Sequence, residues 1–259
     1  MKNTVKTIIS AKGARKLAML TAYDSIFSTL ADNAGVDMIL VGDSVGNTTL
    51  GFSSTVPVTL DMMAHHTAAV ARSTKSALVI ADMPFAVAHR KFDSLLDAAV
   101  RLVQQSGADA VKIEGGEKMA KKISKLVDAG IAVMGHIGLE PQQVLRLGGY
   151  RKFGKTEEEK ERIMRDAKAL EAAGVFAIVM EMTDAQLAAE VSRAVSVPTI
   201  GIGSGAECDG QVLVFTDVLG LSQNPPKFAK QYAYLTATVS DAYAKFIDDV
   251  RNAKFPEKK

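Results

Sequence analysis

Short apolar runs recur along the chain, and several stop on or near an ionisable side chain. Residues 38–41 run to Asp43, 77–81 to Asp82, 110–113 to Glu114, 131–135 to His136 and 176–180 to Glu181. An unpaired charge at the mouth of a buried strand is costly, so these ends require partners. Between the runs the apolar spacing turns helical. Helices are predicted over 25–34 with Asp24 as cap, over 59–74 with Leu60, Met63, Thr67 and Val70 on one face, and over 94–106, 117–129 and 184–194. A further helix begins at Thr156-Glu157-Glu158-Glu159, which has the spacing of a capping box, and buries Ile163, Ala167 and Leu170.

One junction repeats: a helix, then Gly35, Gly107, Gly130 or Gly174, then an apolar strand. Glycine suits the residue after a helix because it adopts the left-handed conformation without steric cost. With further strands at 17–22, 197–202 and 211–214, the alternation of strand and helix predicts an α/β chain. The reading is a closed (β/α)8 TIM barrel, a single domain over 1–259 with a polar N-terminal leader and a C-terminal helix in 232–259 packed on the barrel or on a neighbouring subunit. The rival is an open doubly wound sheet, but its glycine fingerprint is missing after the first strand, which ends in Thr21-Ala22-Tyr23-Asp24. Gly201-Ile202-Gly203-Ser204-Gly205 reads either as a phosphate loop or as a tight turn beside the site. Residues 44–58 and 137–155 read as long loops.

Composition narrows the function classes. A hydrophobic share of 47% with 23% charged residues fits a globular chain with a sizeable core. A net charge of +2, with basic residues dispersed, gives no footprint for nucleic acid. The single cysteine, Cys208, excludes an internal disulfide and has no local signature of a nucleophile. No stretch is long and apolar enough for a signal peptide or a membrane span, so a cytoplasmic location is expected.

Residues at the carboxyl ends of parallel barrel strands converge on one face, which would gather Asp43, Asp82, Lys112, Glu114, His136 and Glu181. Two aspartates on neighbouring strands suit a hard cation, with magnesium the leading candidate. Glu181, following an apolar strand, suits a general base because desolvation raises its proton affinity. Structural readings stand beside these. An aspartate after a strand can cap a helix, Lys112 and Glu114 share a strand face and can pair, and His136 can be a hydrogen-bonded core histidine. The adjacent His65 and His66 point apart on a helix and read as one surface and one packed side chain.

The blocks Thr21-Ala22-Tyr23-Asp24, Val41-Gly42-Asp43-Ser44, Ala81-Asp82-Met83-Pro84-Phe85, Val111-Lys112-Ile113-Glu114-Gly115-Gly116, Gly135-His136-Ile137-Gly138-Leu139 and Gly148-Gly149-Tyr150 resemble the ketopantoate hydroxymethyltransferase family. Gly201-Ile202-Gly203 with Cys208-Asp209-Gly210-Gln211 extends the resemblance, which runs from about Leu20 to Lys230. It implies transfer of a hydroxymethyl group from the co-substrate 5,10-methylenetetrahydrofolate to 3-methyl-2-oxobutanoate, with Mg2+ as cofactor. By the same resemblance Asp43, Asp82 and Glu114 are metal residues, Glu114 through water. Asp43, Ser44, Asp82, Lys112 and His136 bind the keto acid, Glu181 is the base, and the assembly is a homodecamer. Departures lie at the rim, at Gly51-Phe52, His65, Ala86-Val87 and Glu140.

Overall fold

The computed structural model describes residues 2–257. The chain forms two compact units divided between Leu213 and Val214. The first is a ring of eight strands: β1 Leu17–Thr21, β2 Met38–Val41, β3 Leu78–Asp82, β4 Ala110–Glu114, β5 Val133–Gly138, β6 Ala177–Glu181, β7 Thr199–Ile202 and β8 Gly210–Leu213. Each strand pairs in parallel with the next, and β8 pairs with β1. A closed ring has no free edge, which rules out the doubly wound sheet. The (β/α)8 class is therefore observed, except that β7 and β8 are joined by residues 203–209 with no helix between them.

Alternation along the strands sends every second side chain into the lumen. Met19, Met38, Leu40, Leu78, Ile80, Ala110, Met134, Ala177, Val179, Ile200 and Val212 form one buried apolar cluster there. The predicted helical faces pack outside the ring, with Met63, Thr67 and Val70 buried and Leu60 half-buried on one helix and Ile163, Ala167 and Leu170 buried on another. The four junction glycines all have left-handed backbones, with φ between 83° and 89°.

Several local expectations change. The helix predicted over 94–106 is Phe92–Val100 followed by the π turn Arg101–Gln105. The loop read over 44–58 begins with a short helix, Val45–Thr48, and the loop read over 137–155 contains the turns Pro141–Gln143 and Val144–Leu147. Only half of the capping box forms. Thr156 accepts from Glu159 N, but the Glu159 carboxylate turns to Gly154 N, Lys155 N and Arg151 instead of the Thr156 backbone. A guanidinium plus two free amide donors outcompetes the single donor of the box.

The second unit, read from sequence as the end of one domain, holds the short helix Phe215–Val218 and the helix Leu235–Arg251. No residue of the longer helix is buried.

Candidate active site

The inward rows of the lumen lead upward into polar side chains. Leu78 and Ile80 are followed at the same parity by Asp82, Ala110 by Lys112 and Glu114, Met134 by His136, and Ala177 and Val179 by Glu181. Pairing sets them side by side, with Asp82 opposite Lys112 and Glu114 opposite His136. Because β5 runs on to Gly138, His136 lies inside its strand, two residues before the end. Asp43 has the opposite parity to Met38 and Leu40, and reaches the cup because β2 stops at Val41. A Cβ on Gly42 would come within 2.7 Å of Ser44 Oγ and 3.4 Å of Asp82 Oδ2. Glycine there lets the Asp82 carboxylate lie against the backbone, where Asp43 N–H donates to Oδ2 over 3.0 Å.

The polar ends gather closely around Lys112 and His136. Lys112 Nζ lies 2.9 Å from Asp82 Oδ1 and 3.0 Å from His136 Nδ1. An ammonium only donates, so Nδ1 accepts and the neutral ring carries its proton on Nε2. That nitrogen is 3.2 Å from Glu181 Oε2, while Glu114 Oε1 is 3.7 Å from Nδ1. Asp43, Asp82, Lys112, Glu114 and His136 are buried, and Glu181 keeps 18% of its side chain exposed.

The charges do not balance. Four carboxylates share one ammonium. Burial, reinforced by the charge of Asp82, pushes Asp43 up to about 7 against the opposing pull of Lys112 and Gln142. Burial likewise lifts Glu181 to about 7 against Lys112, and lifts Glu114 well above the usual carboxylate range with Asp43 adding. Burial alone would lower Lys112, but Asp82, Glu114 and Asp43 outweigh it and raise its pKa. Lys112 therefore stays an ammonium, unsuited to Schiff-base chemistry. Burial and then Lys112 hold His136 well below its ordinary value, so it is neutral.

Sequence reasoning passed over three supporting residues. Gln142 is buried and donates from Nε2 to Asp43 Oδ2 (2.8 Å) and to Met83 O (2.9 Å), while its backbone N–H donates to Glu114 Oε2 (3.1 Å). Tyr23 Oη is 2.7 Å from Ser44 Oγ, and His66 Nδ1–H donates to the Tyr23 carbonyl. His65 is exposed, so the pair divides as expected. Ser204 Oγ donates to Met180 O and accepts from Thr183 N, clamping the backbone on both sides of Glu181. The glycine-rich segment around it is thus a tight turn beside the site. Its one signal in sequence was that glycine spacing; Gln142 had none beyond the preceding Pro141.

Among the described residues no three His, Cys, Asp or Glu side chains close on one point as a ready cage for a metal. Magnesium does not need one, since it is commonly held by one or two carboxylates, with water and substrate oxygens filling the rest. The residues fit such an ion. The cup has more carboxyl groups than cations, and among the described residues Asp82 Oδ1 has no hydrogen bond beyond its ion pair with Lys112.

Residues 2–258 match the family profile described as ketopantoate hydroxymethyltransferase. The chain belongs to that family. A 3-methyl-2-oxobutanoate hydroxymethyltransferase of Staphylothermus marinus is 53% identical over 100% of this chain and 95% of its own length. One from Pyrococcus furiosus is 52% identical over 98% and 90%. The chain is accordingly an enzyme, a hydroxymethyltransferase acting on small molecules. Solved structures share the fold at low identity. A phosphonopyruvate hydrolase superposes with TM-score 0.65 at 16% identity, over 98% of this chain and 89% of that one. A 2,3-dimethylmalate lyase of the PEP mutase/isocitrate lyase superfamily gives 0.63 at 15%, over 100% and 91%. Among the described residues no helix is long and apolar enough to cross a membrane.

Proposed function

We propose that the cup binds 3-methyl-2-oxobutanoate with a divalent cation, magnesium by preference, and that Glu181 removes the proton from C3. The carbanion then forms a carbon–carbon bond to the one-carbon unit of 5,10-methylenetetrahydrofolate as both of that carbon's bonds to N5 and N10 break, the two nitrogens taking up the C3 proton and one proton of water. With water supplying the hydroxyl, the products are 2-dehydropantoate and tetrahydrofolate. The observation that supports this most is the single cluster of four carboxyl groups gathered around one ammonium, three of them buried and Glu181 partly open.

Asp43 and Asp82 would hold the cation, with Glu114 behind them through water. A cation there would offset the carboxylates and draw charge from the keto oxygen as the neighbouring proton leaves. Lys112, a fixed ammonium, offsets the substrate's own charge. His136 presents Nε2–H, a neutral donor suited to an oxygen that gains charge during proton removal. Ser44, tied to Tyr23, presents its hydroxyl to the keto acid. Glu181, raised to about 7, is basic enough to take a carbon-bound proton once the substrate is activated, and the Ser204 clamp keeps it aimed.

The test is solvent deuterium exchange at C3 of 3-methyl-2-oxobutanoate with Mg2+ and no folate, followed by proton NMR. Wild type exchanges, and Glu181→Gln slows exchange by about 10²–10⁴-fold, the usual worth of a general base. Equal exchange in that variant would remove Glu181 from the role.

A further inference from the structure

We propose that Gln142 is a positioning residue that decides which oxygen of Asp43 is offered to the cation, and so sets the affinity of the cup for it. This rests on reading Asp43 as a metal residue. A carboxamide has two N–H donors, and both are committed here, one to Asp43 Oδ2 at 2.8 Å and one to Met83 O at 2.9 Å. Turning the amide over would lose both and set Oε1 against the carboxylate. The Gln142 side chain is therefore locked, and it locks Asp43. The hydrogen bonds among the described residues leave Asp43 Oδ1 free.

The backbone extends the control. Pro141 opens the turn Pro141–Gln143, and the Gln142 N–H donates to Glu114 Oε2 over 3.1 Å. Gln142 alone, in the turn after β5, thus holds a carboxylate following β2, a carbonyl following β3 and a carboxylate at the end of β4. A lysine or arginine in this place would supply the same hydrogen bonds with a positive charge that competes with the cation. Glutamine directs the carboxylate and leaves its charge in place. Partners of this kind, bonded to a metal-binding side chain, typically change metal affinity by about 10–100-fold when removed.

The experiment titrates Mn2+ into the metal-free protein with 3-methyl-2-oxobutanoate present, reading free Mn2+ by electron paramagnetic resonance. Gln142→Met fills the same volume without a donor. We expect its Mn2+ dissociation constant to rise about tenfold or more, with the KM for methylenetetrahydrofolate unchanged, and its Tm to fall because two buried acceptors lose their donor. Excess cation should restore kcat. A folded Gln142→Met protein with wild-type affinity would show that Gln142 only pins its loop, and would overturn the proposal. Wild-type crystals with Mn2+ decide the matter even if the variant fails to fold. We expect the ion on Asp43 Oδ1 with the bond from Gln142 to Oδ2 kept, and an ion on Oδ2 with Gln142 displaced would overturn the proposal. A wild-type protein that takes up no Mn2+ would fail the cation reading itself, and the proposal with it.

Discussion

At the N-terminal mouth of the barrel an aspartate stands immediately before β2, β4 and β8. Asp37 accepts from Ala18 N, Asp109 from Val79 N and Asp209 from Thr199 N, each at the start of the preceding strand. Each has its own cation, Arg15, Lys2 and Lys12 respectively, at 2.6–2.7 Å. At the C-terminal mouth, among the described residues, Asp43, Asp82, Glu114 and Glu181 have Lys112 as their one cation. The same residue types thus do two jobs. Where every carboxylate has a donor from the backbone and a cation of its own, it fastens strands together; where carboxylates outnumber cations and are buried, a ligand is called for.

Removing the one lysine should separate the two ends most sharply. Lys112→Met breaks a buried pair and leaves Asp82 uncompensated, so unfolding in denaturant should show a loss of about 3–5 kcal/mol in the metal-free protein. Added Mg2+ should return part of it. At the other mouth, Asp209→Asn loses one ion pair that is partly open to solvent while keeping an acceptor for Thr199 N. That should cost about 1–3 kcal/mol, with kcat of the folded protein unchanged. A fall in kcat would mean that the two ends are not independent.

A smaller effect carries a sign. The folded-state pKa values of Asp43 and Glu181, about 7, lie above the ordinary carboxylate value. Their protonation therefore adds stability that is fully present below about pH 4 and is lost as pH rises through about 7. A divalent cation binds the ionised cup, so the Tm gained from Mg2+ should be larger in alkaline than in acid buffer. Scanning calorimetry across that range checks this, and a gain that stayed constant or grew toward acid would mean that the cation does not bind the ionised carboxylates.

The strands and the gathering of the polar ends were legible because period-two alternation and the glycine junctions are written locally. Asp82, Lys112, Glu114, His136 and Glu181 follow from parity once the strands are placed. Asp43 follows only from where β2 stops. Gln142 was hidden because its partners are 99 and 59 residues away and its loop has no periodicity to mark a buried position. The incomplete capping box failed for a similar reason, since Arg151 competes for Glu159 from outside the motif. The paired aspartates at the other mouth escaped notice because they precede the apolar runs, where a polar residue reads as ordinary loop.

Unbalanced carboxyl groups at one mouth should bind a cation, and the paired ones at the other should not. Calorimetric titration of Mn2+, with 3-methyl-2-oxobutanoate present, tests it in one set of variants. We expect one ion per chain in wild type and in Asp209→Asn, and affinity reduced by more than about tenfold in both Asp43→Asn and Asp82→Asn. Wild-type affinity in the last two variants would contradict it.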